Sequence, residues 1–107
     1  MQQIRQGDVL IVPVEQVPAT AKPKPTQDRV VLAYGEVTGH HHSFDASAGG
    51  VALLEVPGAV VEEVYVTVDR LSALEHQEHG TVLVEPGVGR VIRQRQYAPA
   101  EIRSVAD

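Results

Sequence analysis

Five histidines fall in two short windows of this chain, Gly39-His40-His41-His42 and Glu75-His76-Gln77-Glu78-His79, and nowhere else. Neutral imidazole is the commonest side-chain ligand for zinc, iron, nickel and copper. In an extended segment successive side chains face opposite ways, so His40 and His42 share a face and His41 takes the other. On a helical turn, residues three apart are neighbours, which brings His76 and His79 together. Glu75 then lies beside His79, and Glu78 points elsewhere. Two such pairs can supply four ligands to a divalent transition metal. Alternatively, three histidines and a carboxylate (Glu75 or Glu78, as ligand or base) leave a position open for water or substrate. Each pair has a plain reading as well: a polar strand end, or a decorated surface turn. The spacing does not show that the two windows meet.

A second group is cationic. Arg90, Arg93 and Arg95 fall in one expected strand, and alternation places Arg93, Arg95 and Tyr97 on one face. Two guanidiniums beside a tyrosine suit a carboxylate or phosphate partner. The plain reading is a solvated strand paired with Glu62, Glu63 or Asp69. Ser43 sits between His42 and Asp45, but adjacent residues on a strand point apart, so no Ser-His-Asp triad forms there. The glycines at 49–50 and 87–89 belong to turns and do not join a strand to a helix, so no phosphate loop is expected.

These residues must be positioned by a chain of 107 residues, enough for one domain with one modest core. Aromatic residues make up 4%, so the core has to be built from Val, Ile, Leu and Ala. Valine-rich runs favour a pleated sheet. The absence of cysteine excludes disulfides, zinc–thiolate sites and thiol catalysis. A net charge of −5 argues against a nucleic-acid partner. The first residues lack the basic and apolar regions of a signal peptide, and no apolar run approaches the ~20 residues of a membrane helix. A cytoplasmic protein with no membrane partner is the expectation.

Along the chain, residues 9–14 read as a strand that Pro13 places at an edge or a bulge. Residues 17–27, with Pro18, Pro23 and Pro25 around Lys22 and Lys24, read as a mobile loop. Strands are expected over 29–34, 36–44, 51–56, 62–69, 81–85 and 89–97. The strand at 62–69 should be half-exposed, with Tyr65 on its polar face. One short helical turn is expected near residues 70–80, carrying the second histidine window and ended by Gly80. Residues 98–107 read as a polar tail. The sum is an all-β single domain, a small barrel or sandwich of about seven short strands.

Gly39-His40-His41-His42 and the later Pro86-Gly87 turn resemble fragments of the cupin pattern, in which a small β-barrel carries a His-x-His motif and a later Pro-x-Gly turn. This chain departs from that pattern, since no histidine follows Pro86. The Gly7-Asp8-Val9-Leu10 opening, the two histidine windows and Arg93-Gln94-Arg95-Gln96-Tyr97 are also similar to small uncharacterised bacterial β-domain proteins. That second resemblance implies a domain type and no activity. Two expectations follow. One is a metal-binding β-domain built on His40, His42, His76 and His79, an enzyme acting on a small molecule if one coordination position stays open. The other is a non-enzymatic assembly module, such as a homo-dimer or a protein-binding domain, whose strands pair edge to edge and whose histidines lie on the surface.

Overall fold

The computed structural model describes residues 1–35, 39–98 and 101–104, and from residue 95 onward the backbone alone. The chain is all-β. Its strands are β1 (Ile4–Gln6), β2 (Val9–Pro13), β3 (Lys22–Pro23), β4 (Arg29–Tyr34), β5 (His41–Asp45), β6 (Val51–Glu55), β7 (Val64–Val68), β8 (Ser72–Leu74), β9 (Val82–Val84), β10 (Gly87–Arg93), β11 (Arg95–Ala98) and β12 (Glu101–Ser104). Six of them form one antiparallel sheet in the order β1-β2-β10-β7-β6-β3. Against it lie the ribbons β4-β5 and β8-β9, which a bridge between Ser43 and Glu75 joins into a second layer. The described strands do not close into a barrel, so the architecture is that of a sandwich and the cupin-type barrel is not formed.

The core lies between the layers. Val9, Ile11, Leu53, Val64, Val66 and Val68 come from the sheet, and Val30, Leu32, Phe44, Leu74 and Val84 from the second layer. With one phenylalanine in the chain, this interior is aliphatic, as the valine-rich composition requires. β7 has neighbours on both sides and is more buried than a half-exposed strand. Tyr65 itself is buried, its hydroxyl donating to Glu63 Oε2 at 3.0 Å. Pro13 ends β2 beyond the last residue paired with β1, so its missing N–H falls where only β10 is alongside.

The expected helical turn near 70–80 is absent. Ser72–Leu74 is a strand laddered to Val82–Val84, and the single 3-10 turn among the described residues is Ala46–Ala48. A helix over these few residues gains little against its nucleation cost. The strand instead places Leu74 wholly inside the core and lets Glu75 exchange two backbone hydrogen bonds with Ser43, at 2.9 and 3.0 Å. In the proline-rich stretch, a two-residue edge strand pairs Lys22 and Pro23 with Glu55 and Leu54. The expected tail carries β12, paired antiparallel with β11.

β10 lies alongside β2 with Gly89 opposite Pro13, diagonal to Ile11. A Cβ placed there would collide with Ile11 Cγ2, whose β-branched side chain is fully buried and has nowhere to move. Gly89→Ala is therefore expected to cost about 1–3 kcal/mol, the usual range for overpacking a filled site. Urea denaturation checks this, and an unchanged midpoint would mean that the contact has slack.

Candidate functional site

β5 carries His42 and Phe44 on its core-facing side. His40, just before the strand, joins this ribbon by accepting the Gly35 N–H at 2.9 Å. His41 faces the other way. Its Nδ1 lies 2.8 Å from Ser43 Oγ and its backbone N–H donates to Gln77 Oε1 at 2.7 Å. The Ser43–Glu75 bridge then sets the second histidine window beside the first. The ring centroids are 4.4 Å apart for His42 and His76, 4.6 Å for His76 and His79, 5.4 Å for His40 and His76, and 6.1 Å for His42 and His79. The two windows therefore meet, with His76 at the hub.

The carboxylates fall differently from a helical reading. Glu75 turns away and pairs with Arg29 at 2.8 Å, and Arg29 also donates to the Ser43 hydroxyl at 3.0 Å. Glu78 approaches the cluster from outside, its Oε1 4.0 Å from His40 Nε2. Both differences follow from the strand and loop geometry of 72–79, which abolishes the four-residue spacing of a helix.

Two residues that the sequence reading passed over complete the site. β1 and β2 form a hairpin in which Gln6 pairs with Val9 across the two-residue turn Gly7-Asp8. Gly7 has φ of 58°, the left-handed value that a two-residue turn with glycine first requires. This turn drives Asp8 inward until it is fully buried, and its backbone carbonyl accepts the Gln94 N–H at 2.7 Å. Asp8 Oδ2 accepts Arg93 Nε–H at 2.7 Å. Gln6, also buried, donates through Nε2 to the carbonyls of Leu74 and Gly80 at 2.9 and 3.0 Å. Its Oε1 lies 2.9 Å from His42 Nδ1. A Gly-Asp pair between short runs of strand residues was the available signal, a two-residue hairpin turn with a polar residue at its tip.

These bonds determine which ring nitrogens carry protons. The two carbonyl acceptors fix the Gln6 amide, so its oxygen faces His42 and the proton must sit on His42 Nδ1. Burial, reinforced by His76 and His79 and opposed by Asp8, pushes the His42 imidazole down from 6.5 to about 4. The ring is therefore neutral at pH 7, and Nε2 presents a lone pair. Asp8 Oδ1 is 3.3 Å from that nitrogen. Neither atom has a hydrogen-bond partner among the described residues. Two buried acceptors at this distance repel each other unless a proton or a cation lies between them. His79 Nε2 is likewise buried without a hydrogen-bond partner. His76 Nε2 is buried as well, and its Nδ1 accepts the backbone N–H groups of Glu78 and His79 at 3.0 and 3.2 Å. As the rings stand, no three or more His, Asp or Glu side chains among the described residues are set to hold a metal ion.

Of the cationic group, Arg93 is bound to Asp8 and 26% exposed. The backbones of Arg95 and Tyr97 lie in β11, and their side chains are outside the described residues. No helix of the described residues is long and apolar enough to cross a membrane.

No curated protein and no solved structure matches this chain. A family model does match, over residues 5–94, a span that holds Gln6, Asp8, all five histidines and Arg93. The chain belongs to that family, described as a domain of unknown function (DUF8820).

Proposed function

We propose that this domain holds one divalent transition metal in the histidine cluster. His42, His76 and His79 supply nitrogen donors, and Asp8 Oδ1 or His40 fills the fourth position. The observation that carries the reading is the buried, uncompensated pair of acceptors, His42 Nε2 and Asp8 Oδ1, inside a group of converging imidazoles. Two donors on a tetrahedral zinc, each about 2.1 Å from the metal, stand about 3.4 Å apart. The observed separation is 3.3 Å. Two imidazole rings on one such metal have centroids about 5 Å apart, a value inside the range of 4.4 to 6.1 Å found here. Gln6 and Arg93 do what outer partners of ligands do: one fixes the tautomer of His42, the other orients Asp8.

In order to ligate through either ring nitrogen, His76 would have to release the two backbone N–H groups that its Nδ1 accepts. That costs on the order of 1 kcal/mol per hydrogen bond. A structural zinc contributes about 10–16 kcal/mol, so the exchange favours the metal by a wide margin. The donors are nitrogen and oxygen without sulfur, which suits zinc, iron, nickel or copper and disfavours calcium and magnesium. With four protein donors at hand and both His42 and Asp8 fully buried, we read the centre as closed, a structural or carrier site in preference to an enzyme.

The test uses untagged protein that has never met a nickel column. Elemental analysis is expected to find close to one metal per chain, and the cobalt-loaded form should show the strong visible absorption of four-coordinate cobalt. His79→Ala, at a loop position outside every strand ladder, should bring the metal to background while leaving the far-ultraviolet circular dichroism unchanged. Absence of metal, with no uptake of zinc, iron, nickel or copper and no change in melting temperature on their addition, would sink the proposal. A five- or six-coordinate cobalt spectrum would keep the metal and overturn the closed site.

A further inference from the structure

A second feature lies on the other side of Arg93. A cleft of about 650 Å³ runs between the end of β4 and the end of β10, within the 300–1,000 Å³ usual for small-molecule sites. Its walls are apolar, supplied by Val31 and Ala33 from one layer and Val91 and Ile92 from the other. Its charged groups are one-sided. The chain has nine Lys and Arg against fourteen Asp and Glu, yet this cleft gathers Lys24, Arg90 and Arg93 around the single carboxylate of Glu62. Among the described residues, the side chains of Lys24 and Arg90 have no ion-pair or hydrogen-bond partner. With Arg93 held by Asp8, Lys24 and Arg90 are the two cations this cleft offers to an anion.

We propose that this cleft binds a small amphipathic carboxylate, with its aliphatic body against Val31, Ala33, Val91 and Ile92 and its anionic head on Arg90 and Lys24. The apolar walls remove the chain from water, and the two cations lining the cleft supply the charge-assisted hydrogen bonds that select a carboxylate over a neutral head. The ligand chemistry is that of a medium-chain carboxylic acid, and the site works independently of the metal reading. Arg93 lines the cleft but also holds Asp8, so a variant there would disturb the histidine cluster as well. Arg90 carries no such second role and is the residue to change.

The probes are octanoate, octan-1-ol, octylammonium and acetate, titrated into the full chain as purified and followed by methyl resonances of Val31, Val91 and Ile92. Octanoate is expected to give saturable shifts at these methyls. Octanol should bind about tenfold more weakly, the factor that losing one charge-assisted hydrogen bond brings. Octylammonium should not bind, and acetate should compete only weakly for lack of a chain. Arg90→Gln should weaken octanoate by about fivefold or more with no change in melting temperature, at the same scale. Ile92→Asp, which puts a negative charge on a partly exposed wall, should abolish binding and supplies a second variant if the first misfolds. Equal binding of octanol and octanoate would mean that the cations select nothing. No saturable shift up to about 10 mM octanoate, a limit near 3 kcal/mol of affinity, would equally overturn the site.

Discussion

His42→Ala is expected to destabilise the metal-free protein by about 3–4 kcal/mol and to leave it without metal. The imidazole is fully buried on the same face of β5 as Phe44, so truncation opens a cavity where the two layers meet. It also removes the donor that Gln6 Oε1 depends on, and Gln6 cannot turn to find another without giving up Leu74 and Gly80. An orphaned buried acceptor costs about 1–3 kcal/mol beyond the packing loss. One effect runs the other way, since Asp8 Oδ1 loses a repelling lone pair 3.3 Å away. For that reason the value is placed below the sum of the two losses. Urea denaturation in the presence of a chelator, beside elemental analysis, reads both halves. A loss below about 1 kcal/mol with metal content intact would show that His42 is neither a packing element nor a ligand.

What the sequence made legible, and what it hid, divides along a physical line. β4 was readable because Arg29–Tyr34 is a short β-branched and aliphatic run closed by Gly35. The division of the first histidine window into two faces was readable too, since alternation is a local property of an extended chain. His40 and His42 do approach His76, and His41 does point away to Ser43. The second window failed for the opposite reason. Three-residue spacing at His76 and His79 fits a helix, but a loop can bring the same residues together, and whether a helix forms is decided by tertiary partners. The partner here is β5, whose Ser43 takes both backbone hydrogen bonds of Glu75. That contact is non-local, and the same bridge turned Glu75 toward Arg29 and out of the cluster. Asp8 was hidden because an aspartate in a turn ordinarily faces water. Only the tight Gly7-Asp8 hairpin, with Arg93 arriving from β10, makes its burial tolerable. Arg93 itself read as a surface cation for the same reason, since its partner lay far away in sequence.

Acidity should weaken the metal-free protein through His42. The unfolded imidazole takes its proton near 6.5, the folded one only near 4. Burial is the largest cause, with the neighbouring His76 and then His79 adding to it against the opposing pull of Asp8. Between these two values the unfolded chain binds more protons than the folded one, so stability must fall as pH falls. His42's contribution is complete above pH 6.5, declines from there to about pH 4, and flattens below that. The full drop corresponds to about 3 kcal/mol, the free energy of such a gap at roughly 1.4 kcal/mol per tenfold. Other groups also lose native interactions in acid. Asp45, held below its ordinary value by hydrogen bonds from the Ser47 side chain and backbone, contributes only at the lowest pH. The control is therefore His42→Gln, which should keep the carboxylate part of the profile and lose the decline between pH 6.5 and 5. Chelator-treated protein, denatured in urea from pH 8 to 4, gives the two curves, and nitrogen resonances of the imidazoles follow the titration directly. His42 should remain the Nδ1–H tautomer down to pH 5, because Gln6 accepts that proton while Nε2 faces Asp8. If His42 instead titrates near 6.5, then Asp8 stabilises the cation fully against burial and the other imidazoles. The acceptor pair would then be satisfied by a proton, and the argument for a cation between the two atoms would lose its footing.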